Sequence, residues 1–123
     1  MLFRSVSEVL GRFERRGFSF LGLKQLLVDS DLADQHYQEH VEKGFYPNLK
    51  AFITSGPVVA FVLEGEQAVS VVRDMVGATD SSQASPGTIR GDLSLSKGEN
   101  IVHASDSLES AKREIALFFP ELA

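Results

Sequence analysis

Near the start of the chain, Val6, Val9, Leu10 and Phe13 recur at the three- and four-residue spacing that lines one face of a helix. The spacing predicts an amphipathic helix, opened by "SVSE" with Ser5 as N-cap and Glu8 completing a capping box, and closed by Gly17. The pattern then changes. "FSFLGLKQLLV" (18–28) is densely apolar behind a stop signal and reads as a strand. "DLADQHYQEHVEK" (31–43) predicts a polar helix with Leu32, His36 and Tyr37 or Val41 turned inward. Pro47 suits the first turn of a short helix carrying Leu49, Phe52 and Ile53. "SGP" interrupts it, and "VVAFVLEG" (58–65) is the clearest buried strand of the chain. Gln67 to Val76 returns to helical spacing, with Val69, Val72 and Val76 inward and Gly77 at the end. A long irregular stretch (78–100) precedes "IVH", read as a short strand, and a last helix capped by Asp106 with Glu109 and ended by Pro120. The order α, β, α, α, β, α, loop, β, α implies an α+β sandwich in one domain, 1–123.

Composition narrows the chemistry. A chain of 123 residues is long enough for one real core. Its net charge of −5 gives no general attraction for nucleic acid or an anionic membrane, so an anionic ligand must be held by locally placed basic groups. The absence of cysteine excludes disulfides, thiolate zinc sites and cysteine nucleophiles. No stretch approaches the ~20 apolar residues of a membrane span. "MLFRSVSEVL" turns polar too soon for a signal peptide, which makes a cytoplasmic location the expectation.

Within those limits three constellations carry chemistry. "HYQEH" (36–40) fits H-x-x-E-H, which would put two histidines on one helix face as zinc peptidases require. Two free positions and no visible third ligand favour an ordinary helix face instead. "SPGTIRGD" (85–92) joins backbone-permissive glycines to Arg90, whose planar fork suits phosphate oxygens, and Arg73 lies beside an apolar helical stripe. Taken alone, either arginine reads more readily as a surface side chain, Arg90 in a turn and Arg73 with its stem along the stripe. His103 has more telling company: Asn100 before it, Ser105 and Asp106 after it, and Glu114 on the following helix. A nucleophilic histidine must present one nitrogen and have the other held by an acceptor, which Glu114 could do by reaching back. Arg73 and Arg90 could then neutralise a phosphate chain.

"RFERRGF" (12–18), "SGPVVAFVLEG" (55–65), "PGTIRGD" (86–92) and "NIVHASDSLESAKREIALFF" (100–119) together resemble the signature blocks of nucleoside diphosphate kinases, in that family's order. The "N-x-x-H-x-S-D" core beside "PGTIRGD" is the specific element. The resemblance implies a ping-pong transfer of the γ-phosphoryl group of ATP to a nucleoside diphosphate through a phosphohistidine at His103, with Glu114 holding the second nitrogen and Ser105 beside it. It implies Arg73, Thr79 and Arg90 on the β- and γ-phosphates, with Mg²⁺ bridging the phosphates rather than bound directly by side chains. Tyr37 would line the phosphate pocket, Asn100 would bind the ribose, and Phe45 would stack on the base with Leu49 and Lys97 close by. A homo-oligomer, hexamer or tetramer, is also implied. Ala104 stands where the family has glycine, and Lys97 where another residue backs the base. The chain starts after the family's "K-P-D-G" strand and stops short of its usual tail. The implied fold is therefore a ferredoxin-like antiparallel sheet covered by helices, without its first, central strand and the lysine that follows. A kinase-like nucleotide-binding protein with weak or no turnover is the alternative.

Overall fold

The computed structural model describes residues 3–80, 83–93 and 102–122. Helix α1 (Phe3–Arg16) is already helical at Phe3, so Ser5 is not its N-cap, and Glu8 instead accepts from Arg12 Nε at 2.9 Å one turn later. Strand β1 (Ser19–Leu26) follows and pairs antiparallel with β2 (Val58–Glu64), from Ser19 opposite Glu64 to Leu26 opposite Val58. A register irregularity lies between Phe20 and Gly22. Along β1, burial alternates residue by residue, as the two-residue period of a pleated strand requires.

Two helices connect the strands. Asp29 caps α2 (Ser30–His36) by accepting from Leu32 N at 2.8 Å. The helix expected to run to residue 43 stops at His36, and turns carry the chain to α3 (Tyr46–Ile53). Val41 is exposed, whereas His36 and Tyr37 are buried. Asp34 ties the two helices together, accepting from Tyr46 Oη at 2.7 Å and pairing with Lys50 Nζ at 3.0 Å. After β2, helix α4 (Ala68–Val76) ends at Gly77, whose φ of +93° needs glycine and whose added Cβ would meet Thr88 Oγ1 at 2.5 Å. The stretch expected to be irregular contains a short helix, α5 (Ile89–Leu93). Helix α6 (Leu108–Phe118) is capped by Ser107, which accepts from Ser110 N at 3.0 Å, one residue beyond the expected Asp106. A 3₁₀ turn, Pro120–Leu122, follows.

Among the described residues the sheet has these two strands. The strand expected at "IVH" is not formed: Val102 and His103 have irregular backbone, and Ile101 lies outside the described residues. A strand exists through its ladder, and the described ladder of β2 goes to β1. The core is built from Val9 and Phe13 of α1, Phe18, Val76, Ile89 and Val102. The Phe13 ring meets Phe18 edge-on at 6.2 Å and Phe61 at 5.8 Å. On α4, Val76 reaches the core with Ala68, Val71, Val72 and Met75 around it. Val69 faces a groove of about 1090 Å³ that runs along β2 and past α4 and α6 to His103. The arrangement is α+β, with helices packed on a small antiparallel sheet.

Candidate active site

His103 sits on an irregular link between the buried Val102 and the cap of α6. Two arginines hold that link by its carbonyls. Arg90 Nη2 donates to Val102 O at 3.0 Å, and Arg73 Nη1 donates to Ala104 O at 3.1 Å. The backbone is therefore held on both sides of the imidazole by Arg90 and Arg73. Arg90 is 4 % exposed, donates through Nη1 to Gly77 O at 3.2 Å, and keeps a buried Nε without a partner. Burial and the neighbouring Arg73 lower its pKa, partly offset by Tyr37, but a guanidinium remains a cation.

The loop that delivers Arg90 is tied to α1. Asp92 accepts from Arg12 Nη2 at 2.9 Å and from Gly87 N at 2.8 Å, which holds its carboxyl below its ordinary range. Gly91 allows the close turn, since a Cβ there would collide with the Ser85 carbonyl. "RFERRGF" and "PGTIRGD" thus meet through one ion pair, and Arg90 is aimed by it.

Helix α6 supplies the acceptor. Its cap at Ser107 places Glu114 two turns in, where the carboxylate turns back to the link. Ser105 Oγ donates to Oε2, and Oε1 lies 3.4 Å from His103 Nε2. Burial pushes the Glu114 carboxyl up, but the hydrogen bonds from His103 and Ser105 and the two facing imidazoles outweigh it and hold it at about 2. The carboxylate is ionised throughout the physiological range. Tyr37 stands above this array with its ring 5.9 Å from that of His103, and burial, aided by Glu114, pushes its phenol up to about 12.

Two residues join the site that the sequence did not connect with His103. His36, at the end of α2, packs its ring 4.8 Å from that of His103 and brings Nδ1 to 3.9 Å from Glu114 Oε1. Arg113 donates to the carbonyls of Gln35 and His36 at 3.1 and 3.3 Å and lies 3.9 Å from Glu114 Oε1. It satisfies the last carbonyls of α2 and so fixes where that helix stops. The inward face read for residues 31–43 and the H-x-x-E-H match were the sequence signals for His36, and nothing local marks Arg113. The H-x-x-E-H motif does not lie on one helical face, because α2 ends at its first histidine. Among the described residues, His36 groups with His103 and Glu114 and not with His40.

The remaining candidates spread along the groove. Phe45, 54 % exposed, precedes α3 with its ring 5.6 Å from that of His40, and Leu49 follows one turn later. Thr79 lies just beyond Gly77. Every described candidate, from Tyr37 to Glu114, lines this one groove. Lys97 and Asn100 lie outside the described residues.

Residues 3–123 match the family model described as nucleoside diphosphate kinase. The chain belongs to the nucleoside diphosphate kinase family. A nucleoside diphosphate kinase of a Nocardioides species is 56 % identical over 117 residues, 95 % of this chain and 87 % of the relative. That of Sulfolobus acidocaldarius is also 56 % identical, over 97 % of this chain and 82 % of its own length. Among solved structures, the enzyme of Halobacterium salinarum in complex with CDP superposes with a TM-score of 0.90 at 46 % identity, covering 93 % of this chain and 76 % of that one. The Aquifex aeolicus nucleoside diphosphate kinase superposes with a TM-score of 0.92 at 41 % identity, covering 97 % of this chain and 86 % of its own. Likeness at this level over nearly the whole chain makes the protein a phosphotransferase that moves phosphoryl groups between nucleotides. The fold is that of nucleoside diphosphate kinases, ferredoxin-like in class. The alternative of a binding protein without turnover is not favoured.

Proposed function

We propose that His103 carries the γ-phosphoryl group from a nucleoside triphosphate to a nucleoside diphosphate in a ping-pong cycle. The observation that carries this reading is the Ser105–Glu114–His103 array. A neutral imidazole has one N–H, and an ionised carboxylate 3.4 Å from Nε2 draws it to that nitrogen. Nδ1 keeps its lone pair and is the nucleophile. Its attack forms an N–P bond while the bond from the γ-phosphorus to the bridging oxygen of the departing diphosphate breaks, and Glu114 offsets the positive charge left on the ring. In the second half, a terminal oxygen of the acceptor diphosphate attacks phosphorus and the N–P bond breaks, restoring the free imidazole.

Positioning and charge neutralisation do most of the work in such transfers. Arg73, Thr79 and Arg90 grip the β- and γ-phosphates in this reading. Tyr37, held neutral, lines the same pocket. Phe45 offers its exposed face to the base, with Leu49 and Lys97 near it, and Asn100 takes the ribose. Stacking tolerates any base, because each has a π-face. The donor set fits Mg²⁺ held through the phosphates, since the side chains grouped at His103 are two imidazoles and Glu114 rather than the oxygen ligands that Mg²⁺ takes. Bound there, the ion would offset charge on the β- and γ-oxygens.

The reading extends to a cytoplasmic enzyme of one domain acting as a homo-oligomer, hexamer or tetramer. Leu21 and Leu23, 51 % and 54 % exposed on the outer face of β1, are apolar surface that a second copy would cover. No described helix is long and apolar enough to cross a membrane. Initial rates at several fixed concentrations of GDP, with ATP varied, test the cycle. Parallel double-reciprocal lines are expected, and intersecting lines would exclude a phosphoryl-enzyme carrier.

A further inference from the structure

His36 has no place in the phosphoryl transfer just described, yet its side chain is 6 % exposed and its Nδ1 has no hydrogen-bond partner. A buried, unpartnered imidazole nitrogen is costly unless something binds it. It is aimed at Glu114 Oε1, 3.9 Å away, the same oxygen that faces His103 Nε2 at 3.4 Å. One donor atom from each of the three residues lies within 4.8 Å of the others. Ligands 2.0–2.1 Å from a tetrahedral metal stand about 3.3 Å apart, so small ring rotations bring all three into range. Two imidazoles and a carboxylate form the donor set of open zinc sites and are too nitrogen-rich for Mg²⁺.

We propose that His36, His103 and Glu114 form an inhibitory site for a zinc-class divalent cation, with water in the fourth position. Ser105 holds the other carboxylate oxygen and orients the ligand. Inhibition follows from the tautomer. A metal on Nε2 of His103 displaces the proton there, and a neutral ring then carries it on Nδ1. The lone pair that would attack phosphorus is lost, with no net change in protons. The inhibitory half rests on the proposed role of His103; the binding half does not.

The test is equilibrium dialysis of the whole chain against Zn²⁺ near neutral pH, alongside kinase assays with Mg²⁺ in excess. The wild type is expected to hold a single zinc. His36→Gln and Glu114→Gln should bind it at least about tenfold more weakly, with circular dichroism confirming that both fold, while His40→Gln should bind like the wild type. No zinc on the wild type, or undiminished binding by both His36→Gln and Glu114→Gln, would overturn the site. Nitrogen-15 spectra of the imidazoles should show the His103 proton move from Nε2 to Nδ1 on zinc addition, with kinase activity lost and restored by chelation. Zinc bound without that shift, or without loss of kinase activity, would overturn inhibition while leaving the metal site standing. A preparation with no kinase activity at all would speak against the phosphoryl-transfer reading, and the dialysis and spectra would still judge the site.

Discussion

At the scale of single residues, the site depends on which nitrogen of His103 holds the proton. Glu114→Gln removes the charge that fixes it while keeping size and shape. It should lower kcat by about 10²-fold or more with a smaller change in KM for nucleotides, in steady-state assays. His36 and Glu114 set an acid limit on stability. His36 titrates near 6.5 when unfolded and about 4 when folded, so between those values the unfolded chain binds more protons, and stability falls as pH falls through that window. Glu114, lowered from 4.5 to about 2, adds a further loss at lower pH in the same direction. Urea unfolding across pH should show this, and His36→Gln should flatten the upper part of the curve. His103, Ser105 and Glu114 were legible in the sequence because they lie close together along it, with helical spacing carrying Glu114 back. His36 and Arg113 were not, because their meeting depends on where α2 stops, and Arg113 fixes that end from a helix far along the chain.

At the scale of elements, helix α6 and the Arg90 loop do the placing. Ser107→Ala removes the cap of α6 and should cost about 1 kcal/mol in urea unfolding. Asp92→Ala frees both Arg12 and the Gly87 amide, so the loop loses its anchor to α1. In the proposed cycle Arg90 then reaches phosphate from a looser base, so KM for nucleotides should rise more than kcat falls. Most elements were readable from periodicity, and both described strands lie within their expected spans. Ends were harder. The cap of α6 moved from Asp106 to Ser107 because both are good caps and only the hydrogen bond to Ser110 chooses. The helix read over 31–43 ends at His36, where Arg113 of α6 takes the carbonyls of Gln35 and His36, a contact no local pattern records. "IVH" has strand composition, but a strand needs a neighbour, and neighbours are a property of the fold.

At the scale of the whole molecule, one core positions everything else. Phe13 packs against Phe18 and Phe61, joining α1 to the sheet at 1 % exposure. Phe13→Ala should cost about 3–5 kcal/mol in urea unfolding, a large part of the roughly 5–15 kcal/mol that holds a small domain together. Above that core, β2, α4 and α6 leave a groove in which cationic, aromatic and nucleophilic side chains from separate segments converge. Family membership says that the molecule transfers phosphoryl groups between nucleotides, and the proposed cycle routes them through His103 Nδ1, which lines the groove. The most direct measurement is incubation with γ-labelled ATP and Mg²⁺ of the wild type beside His103→Ala. Acid-labile, alkali-stable label on the wild type alone, discharged by added GDP, is the expected result. Equal labelling of His103→Ala, or no label on a wild type that binds nucleotide, would contradict His103 as the carrier.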